Sequence, residues 1–280
     1  MKIIKTIKKM QFFSRHRREL GKTIGLVPTM GYLHSGHISL IKRAKKDCDL
    51  VVVSIYVNPT QFAPGEDYKR YPRDLERDKE LAEAAGANLL FAPSNKEMYP
   101  DGYHTFIYVE KLSERLCGIS RPTHFRGVAT VVVKLFNIVK PDKTYFGWKD
   151  AQQLIVIKKM VKDLNLNIKV IGLPTVREKD GLAVSSRNKY LSKEERKIAP
   201  TLYQALQKIK KMVSSGEKDA GKILKEAKKI IEGRKIKIDY LKAVNLTDLA
   251  DIKRIEKNTL IAVAAWVGKT RLIDNIVIRD

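Results

Sequence analysis

The sequence predicts an α/β fold, in which a Rossmann-like parallel sheet domain is followed by a smaller α+β domain with a short antiparallel sheet. In the first two thirds of the 280 residues, apolar runs bounded by turn residues alternate with helical patterns, the order typical of a parallel sheet. After about residue 176, two lysine-rich helical patterns precede three apolar runs that lie close together. We therefore predict two domains, 1–175 and 176–280, joined by a polar loop.

Apolar periodicity and turn residues define the individual elements. The strand 50–57 has the strongest support, because its β-branched run is continuous, as expected for a strand covered on both faces. The other strands are predicted at 23–27, 88–91, 144–146, 168–173, 237–244, 260–267 and 272–278. Helices are predicted at 37–46, 74–85, 128–139, 151–164, 193–213 and 220–231.

The segment 128–139 sets propensity against periodicity, because its valines favour a strand. Its apolar residues nevertheless recur at the spacing i, i+3, i+4, i+7, i+8 and i+11, which places them on one face of a helix. They are Val128, Val131, Val132, Leu135, Phe136 and Val139. We give the period more weight than the propensity and predict a helix.

The composition is that of a globular protein, with 44% hydrophobic and 31% charged residues. The longest apolar run, 260–267, has eight residues, far fewer than the roughly 18 of a membrane helix. Lysines interrupt the apolar N-terminal stretch, so we expect no signal peptide, no membrane association and a cytoplasmic location. Cys48 and Cys117 are too few for a disulfide framework, and we expect both to be small buried hydrophobic residues.

The formal net charge of +24 suggests a polyanionic partner when taken alone. The basic residues, however, are spread over nearly every helical segment, with no arginine-rich tail and no regularly interleaved aromatic residues. We therefore expect a solvated surface that helps to collect anionic small molecules, and no nucleic-acid partner. An RNA-binding or tRNA-charging protein remains the alternative, with strongly salt-dependent RNA affinity as its signature.

The segment 28–37, PTMGYLHSGH, connects the first predicted strand to its helix. Ligands of open α/β sheets bind beyond the carboxyl ends of the strands, where this segment falls. Gly31 and Gly36 would let the backbone approach a ligand, and Ser35 or Gly36 would cap a helix whose N-terminus attracts phosphate. The segment therefore indicates a nucleotide-phosphate loop, although no Gly-Lys-Ser/Thr follows, as a Walker A loop would require.

His34 and His37 stand three residues apart at this helix start and can point towards the same anion. Histidine donors in that place would stabilise charge that develops on a phosphoryl oxygen. Two alternatives stay open. One is a capped turn with two exposed histidines, and the other is a metal site, although no third His, Cys or acid stands at ligand spacing.

Polar stretches follow three more predicted strands. Asn58 and Gln61 offer amide groups at the same sheet edge, unless the Asn-Pro pair only forms a polar turn. Lys149 beside a helix N-terminus suits a phosphate, while Asp150 can be explained as the helix N-cap. The stretch 176–188 combines two hydroxyls with an arginine, which favours a mobile phosphate clamp only slightly over a plain solvated loop.

Six segments together resemble the family of pantoate–β-alanine ligases, or pantothenate synthetases, in the HIGH-type nucleotidyltransferase superfamily. They are 28–37 (PTMGYLHSGH), 57–62 (VNPTQF), 71–78 (YPRDLERD), 121–135 (RPTHFRGVATVVVKL), 145–153 (YFGWKDAQQ) and 176–188 (VREKDGLAVSSRN). Their order and spacing match the family throughout the first domain. Trp148 departs from the family pattern where Glu or Gln is expected, and Val184 where Met is common. A related adenylyltransferase would not need 57–62 and 145–153 together.

The resemblance implies a ligase that uses ATP with Mg²⁺ and forms pantoyl adenylate from ATP and pantoate, after which β-alanine attacks to give pantothenate and AMP. It further implies a homodimer, and it makes Asp78 a candidate neighbour of the metal, whose ligands stay unknown. The implied catalytic residues are His37, His34 and Lys149, and those for pantoate and β-alanine are Gln61, Gln153 and Asn58. The implied ATP-binding residues are Met30, Gly31, Tyr32, Leu33, His34, Ser35, Gly36, His37, Gly147, Trp148, Lys149, Asp150, Val176, Val184, Ser185, Ser186 and Arg187.

Overall fold

The computed structural model describes residues 1–232 and 234–279, which form two sheets with helices packed around them. The strands are β1 (Lys2–Ile4), β2 (Ile24–Thr29), β3 (Leu50–Ile55), β4 (Leu89–Phe91), β5 (Lys143–Gly147), β6 (Lys169–Leu173), β7 (Ile236–Asn245), β8 (Thr259–Val267) and β9 (Thr270–Ile278). The α-helices are α1 (Ile7–Glu19), α2 (Ser35–Asp47), α3 (Leu75–Ala84), α4 (Asn95–Met98), α5 (Cys117–Ser120), α6 (His124–Val139), α7 (Ala151–Asp163), α8 (Lys193–Ile198), α9 (Thr201–Ser214) and α10 (Ala220–Glu232).

The larger sheet is parallel throughout, in the order β1-β4-β3-β2-β5-β6. Strands β2 and β3 pair without a shift from Ile24 opposite Leu50 to Thr29 opposite Ile55. Because β2 lies between β3 and β5, the loops that follow these three strands meet at one edge of the sheet. The smaller sheet is antiparallel, in the order β7-β8-β9, so the predicted fold class is confirmed.

The hydrophobic core explains why helix α6 forms despite its valines. Its apolar stripe, which includes Val128, Val132 and Val139, is buried against the parallel sheet. The helix was therefore predicted correctly from its period, although it begins four residues before the predicted start of 128. No helix in the described part of the chain is long and apolar enough to cross a membrane. Cys48 and Cys117 are both buried and free of disulfides, as predicted.

The fold differs from the sequence prediction in several elements, among them the short helices α4 and α5, which were not predicted. Strand β1 and helix α1 were missed, because β1 has only three residues and α1 buries only Met10 and Ser14, which leaves no wide apolar stripe. The single helix predicted at 193–213 is two helices, since Pro200 falls between α8 and α9. Proline lacks the N–H of a helix interior and clashes with the preceding turn.

Helix α6 approaches the turn 59–61 unusually closely, and Gly127 makes this approach possible. A Cβ on Gly127 would lie 2.3 Å from the carbonyl oxygen of Thr60 and 2.6 Å from the backbone nitrogen of Gln61. The Asn58 side chain donates to the Gly127 carbonyl at 3.1 Å and closes the same contact. The position of Gln61 therefore depends on a residue without a side chain in the facing helix.

We expect Gly127→Ala to lower the free energy of unfolding by about 1–3 kcal/mol, because the added methyl meets rigid backbone. Gly221→Ala in α10 is the matched control, since its nearest neighbour is only a side-chain oxygen of Asp219 at 3.2 Å. Helix propensity should make the control neutral or slightly stabilising. Urea denaturation of both variants tests this, and equal stabilities would contradict the tight contact.

Candidate active site

A cleft opens at the carboxyl ends of β2, β3 and β5, and its opposite wall comes from the loop 182–188 and the strands β8 and β9. Its volume of about 270 Å³ is near the lower end of small-molecule sites, which run from about 300 to 1,000 Å³. The predicted site residues that line the cleft are Met30, His34, Gly36, His37, Asn58, Gln61, Gly147, Lys149, Asp150, Gln153, Val176, Val184, Ser185, Ser186 and Arg187. The predicted residues outside the lining are Gly31, Tyr32, Leu33, Ser35 and Trp148.

The carboxylate of Asp78 holds the backbone of the loop between β2 and α2. Its two carboxylate oxygens accept the N–H groups of Tyr32 and Leu33, both at 2.7 Å. Gly31 and Tyr32 have left-handed φ angles of +83° and +51°, and a Cβ on Gly31 would lie 2.9 Å from the carboxylate. Burial raises the pKa of Asp78, and the two N–H donors partly offset that rise. Its carboxylate therefore serves the loop, a role that the sequence pattern did not indicate.

The two histidines of this loop pack on each other at the start of α2. His34, and neither Ser35 nor Gly36 as predicted, occupies the N-cap position, and Ser35 is exposed. The backbone N–H of His34 donates to Nδ1 of His37 at 3.3 Å, and the ring centroids are 3.9 Å apart. Because both rings are partly buried and line the cleft, the alternative of two exposed histidines is wrong.

Both histidines are neutral at physiological pH. Burial, followed by the charge of Lys149, lowers the pKa of His34 from 6.5 to about 4. Burial, with His34 and Lys149 behind it, also lowers the pKa of His37 well below its ordinary value. Since Nδ1 of His37 accepts a hydrogen bond, its proton is on Nε2, which makes His37 a neutral donor.

Lys149 brings a cationic side chain to the phosphate-binding residues of the sequence prediction. Its ammonium lies 3.4 Å from a carboxylate oxygen of Asp150, and its side chain is 20% exposed. Asp150 stands at the N-cap position of α7, but its side chain makes no capping hydrogen bond, so capping alone does not explain it. The ring of Trp148 packs against Gly172 of β6, where a Cβ added to the glycine would lie 2.8 Å from Nε1 of the tryptophan. Trp148, which departs from the family pattern, therefore makes a packing contact.

The two neighbouring glutamines of α7 have different surroundings. Gln152 is buried, donates to the carbonyls of Leu112 and Arg115, and accepts the N–H of Cys117. Gln153 lines the cleft and makes no side-chain hydrogen bond among the described residues. Gln152 therefore supports the wall of the cleft, and Gln153 is left to face a ligand.

At the carboxyl end of β3, Asn58 orients Gln61. The Asn58 amide donates to Oε1 of Gln61 at 3.1 Å, while its own oxygen accepts from Thr60. The amide of Gln61 lies 3.1 Å from the sulfur of Met30. Asn58 is thus a turn residue, as the alternative interpretation proposed, and it also positions a cleft residue.

The loop that carries Ser185 and Arg187 is docked and is not a plain solvated loop. Arg187 donates from Nε and Nη2 to the two oxygens of Asp67, at 2.9 and 2.8 Å. The Ser186 hydroxyl donates to the carbonyl of Tyr32 at 3.4 Å. Val184 is held by a backbone hydrogen bond from its N–H to the carbonyl of Val176. These contacts attach the loop to Asp67 and to the segment that leads to the histidines.

Four residues of the cleft region were given no role from the sequence. His124 donates from Nδ1 to the Gln61 carbonyl at 2.8 Å, and Arg121 donates to the same oxygen at 3.3 Å. Arg121 also forms a two-pronged ion pair with Glu66, with both contacts at 2.6 Å. Burial and the charge of Arg121 lower the pKa of His124 to about 3. Two of the four, Arg121 and His124, begin a segment that matched the family, whereas Glu66 and Asp67 carried no such signal.

Fold and cleft together define an α/β enzyme with a small-molecule site between a parallel sheet and an antiparallel unit. The family model described as pantoate–β-alanine ligase matches residues 2–277. The pantothenate synthetases of Thermotoga petrophila and Acetivibrio thermocellus are each 55% identical over 279 residues, which is 99% of this chain and 100% and 99% of theirs.

Solved structures agree with these relatives. The pantothenate synthetase of Thermus thermophilus has a TM-score of 0.95 and 44% identity, with full coverage of both chains. The pantoate–β-alanine ligase of Francisella tularensis, in complex with "Beta-gamma ATP" and β-alanine, has a TM-score of 0.80 and 38% identity, covering 99% of this chain and 97% of that one. This chain therefore belongs to the pantoate–β-alanine ligase family. It is a ligase that joins pantoate and β-alanine to give pantothenate.

The neutral histidines predict a fall in stability on acidification. The unfolded chain takes up a proton on His34 below pH 6.5, whereas the folded chain does so only near pH 4, so stability is lost as the pH falls through this window. At pH 5 the protonation of His34 in the unfolded chain lowers the free energy of unfolding by about 2 kcal/mol. In His34→Asn, which keeps an N-cap residue, the drop in unfolding free energy between about pH 7.5 and pH 5 should be smaller by that amount. Urea denaturation at both pH values measures it, and an equal drop in parent and variant would contradict the buried neutral His34.

Proposed function

We propose that the chain makes pantothenate in two steps, through a pantoyl-adenylate intermediate formed from ATP and pantoate. One observation supports this proposal most strongly. A single cleft is lined by the neutral pair His34–His37, the cation Lys149 and the glutamines Gln61 and Gln153. Adenylation brings the pantoate carboxylate against a triphosphate, and such a reaction is accelerated mainly by positioning and by stabilising charge. The histidines and Lys149 can stabilise charge, and the two glutamines can position pantoate.

The phosphate end of the cleft is the one that carries His34, His37 and Lys149. His37 donates from Nε2 to a phosphoryl oxygen, and its neutral state lets it do so without losing a proton. Lys149 stabilises the charge that develops there, since charge-stabilising donors are worth about 10²–10³ in rate. The residues proposed to surround ATP are Met30–His37, Gly147–Asp150, Val176 and Val184–Arg187.

The pantoate end is formed by Gln61 and Gln153, whose amide groups hold the two hydroxyls. Asn58 acts there by orienting Gln61, to which it donates at 3.1 Å. The second step needs no nucleophilic side chain, because the amine of β-alanine is the nucleophile. The walls of the cleft shield the adenylate from water.

Mg²⁺ fits this cleft only in association with the ATP phosphates. Among the described residues, no group of three or more His, Cys, Asp or Glu could hold a metal ion. Asp78 uses its carboxylate on the loop backbone, and Asp274, which also lines the cleft, is paired with Arg177. Asp150 contacts Lys149 at 3.4 Å but is half-exposed, so part of its carboxylate can reach Mg²⁺, an ion that combines one or two carboxylates with phosphate oxygens. Bound in this way, the ion would neutralise phosphate charge.

The proposal also covers the domain division of the chain, its oligomeric state and its location in the cell. The first domain, 1–175, binds nucleotide and pantoate, and the second, 176–280, covers them. One core cluster consists only of residues from 182 onward, which supports this division, although Val244, Leu249, Leu260 and Ala262 join the core of the parallel sheet. We further propose a homodimer, as in the family that the chain resembles, and a cytoplasmic location, which the free thiols of Cys48 and Cys117 support.

Exchange of labelled pyrophosphate into ATP tests the proposal directly. With Mg²⁺ and without β-alanine, exchange should appear only when pantoate is added, because only the adenylate step returns pyrophosphate to ATP. Omitting pantoate and replacing it with an acid that lacks the two hydroxyls are the controls. Folded protein that binds ATP but shows no pantoate-dependent exchange would overturn the adenylate mechanism.

We expect His37→Ala or Lys149→Ala to reduce turnover at least about a hundredfold, because each removes a donor to the developing charge. Lys158→Ala is the matched control, since Lys158 lies further along α7, outside the cleft lining, with its ammonium 5.4 Å from the ring centre of Trp148. The control should keep the parent rate. Steady-state kinetics of all three variants check this, and full activity in both site variants would remove the assigned roles.

A further inference from the structure

A side chain of the second domain holds the backbone of the turn that carries Lys149. Asn275 of β9 donates its side-chain amide to the carbonyl oxygens of Trp148 and Lys149, at 2.8 and 3.0 Å. Two carbonyl acceptors can only face the NH₂ group, so both of its N–H donors are used here. Asn275 is only 7% exposed, and hydrogen bonds made in such a buried place are costly to lose. The turn that precedes α7 is therefore held at two consecutive carbonyls from across the domain border.

Asn275 is itself anchored by a buried ion pair. Its backbone N–H donates to Oδ1 of the neighbouring Asp274 at 2.8 Å. Nη1 and Nη2 of Arg177 donate to the two oxygens of that buried carboxylate, at 2.6 and 2.8 Å. The guanidinium also donates to the carbonyl of Gly181 at 3.1 Å and lies 4.0 Å from the ring centre of Tyr203. Strand β9 therefore presents Asn275 to the turn from a fixed position.

The Lys149 side chain has little else to hold it. Among residues 1–232 and 234–279, its ammonium makes a polar contact only with Asp150, at 3.4 Å, and that carboxylate is half-exposed. Ion pairs that water can reach contribute little to fixing a geometry. The position of the ammonium therefore depends on the backbone from which the side chain starts, and Asn275 holds that backbone at the carbonyl of Lys149 itself.

We propose that Asn275 is a positioning residue for Lys149 and acts on it through the two carbonyls of the turn. This inference rests on the proposed function, in which the Lys149 ammonium stabilises charge on the triphosphate. A displacement of about 1 Å at a reacting site can cost about a hundredfold in rate. Strand β9 of the second domain thereby controls the position of a cation that belongs to the first.

Pantoate-dependent exchange of labelled pyrophosphate into ATP tests this role in a double-mutant cycle with Lys149→Ala. We expect Asn275→Leu, which has the same branched shape but no donors, to lower the exchange rate about ten- to thirtyfold in the parent background. In the Lys149→Ala background the same substitution should cost less than about threefold, because the cation that it displaces is already absent. Asn275→Ala, which avoids the larger methyl groups of leucine, is the second variant and should show the same dependence on Lys149.

Arg279→Met is the matched control for this cycle. Arg279 also reaches the turn from the second domain, with its guanidinium 5.7 Å from the ring centre of Trp148, but it does not line the cleft. The control should leave the exchange rate unchanged in both backgrounds.

An equal loss in both backgrounds would overturn the assignment, because a residue that only stabilises the domain border acts in the same way with or without Lys149. An unchanged rate in Asn275→Leu would overturn it as well. Absence of exchange in the parent would overturn the adenylate mechanism instead. The same cycle measured on the affinity for ATP then decides the role of Asn275, and a loss of affinity that persists undiminished in Lys149→Ala contradicts it.

Discussion

Two backbone hydrogen bonds to the buried carboxylate of Asp78 determine the loop on which the rest of the site depends. They hold Tyr32 in the left-handed region, which is unfavourable for a residue with a side chain, and charge-assisted bonds of 2.7 Å offset that cost. Gly31 is required beside them, because a side chain would collide with the carboxylate. With Leu33 fully buried by this turn, the next residue, His34, falls at the start of α2.

The electrostatics of the cleft follow from that placement. A helix N-terminus is a poor environment for a cation, and burial next to Lys149 is a further penalty, so both histidines stay neutral. The site therefore places uncharged histidine donors beside the cationic side chains of Lys149 and Arg187. The neutral histidines can donate to phosphate without adding two more buried positive charges, each of which would cost free energy before the ligand arrives. The overall charge of +24 acts at longer range and does not replace these local donors.

Much of the fold and the general location of the site could be predicted, because both follow from local patterns. The period of α6 and the polar residues that follow β2, β3 and β5 are readable in the sequence, and parallel topology brings those strand ends together. The side-chain pairs could not be predicted, because their partners are distant: 46 residues separate Tyr32 from Asp78, and 120 separate Asp67 from Arg187. Gln152 and Gln153 differ for the same reason, since only the packing of distant loop 112–117 decides which of them is buried.

The adjacent acids Glu66 and Asp67 show how one short segment can prepare two arginines for binding. Each acid occupies Nε and Nη2 of one guanidinium, Arg121 in the first case and Arg187 in the second. Nη1 of each arginine keeps its N–H groups free of partners among the described residues, and both side chains line the cleft. A guanidinium has five N–H donors in one plane, so it can stay paired with an acid and still meet an anion at its open end. The ion pairs therefore fix the direction of each arginine before a ligand binds, which lowers the entropy lost on binding. Because the two arginines come from distant parts of the chain, this segment also connects the loop 182–188 to the residues that precede α6.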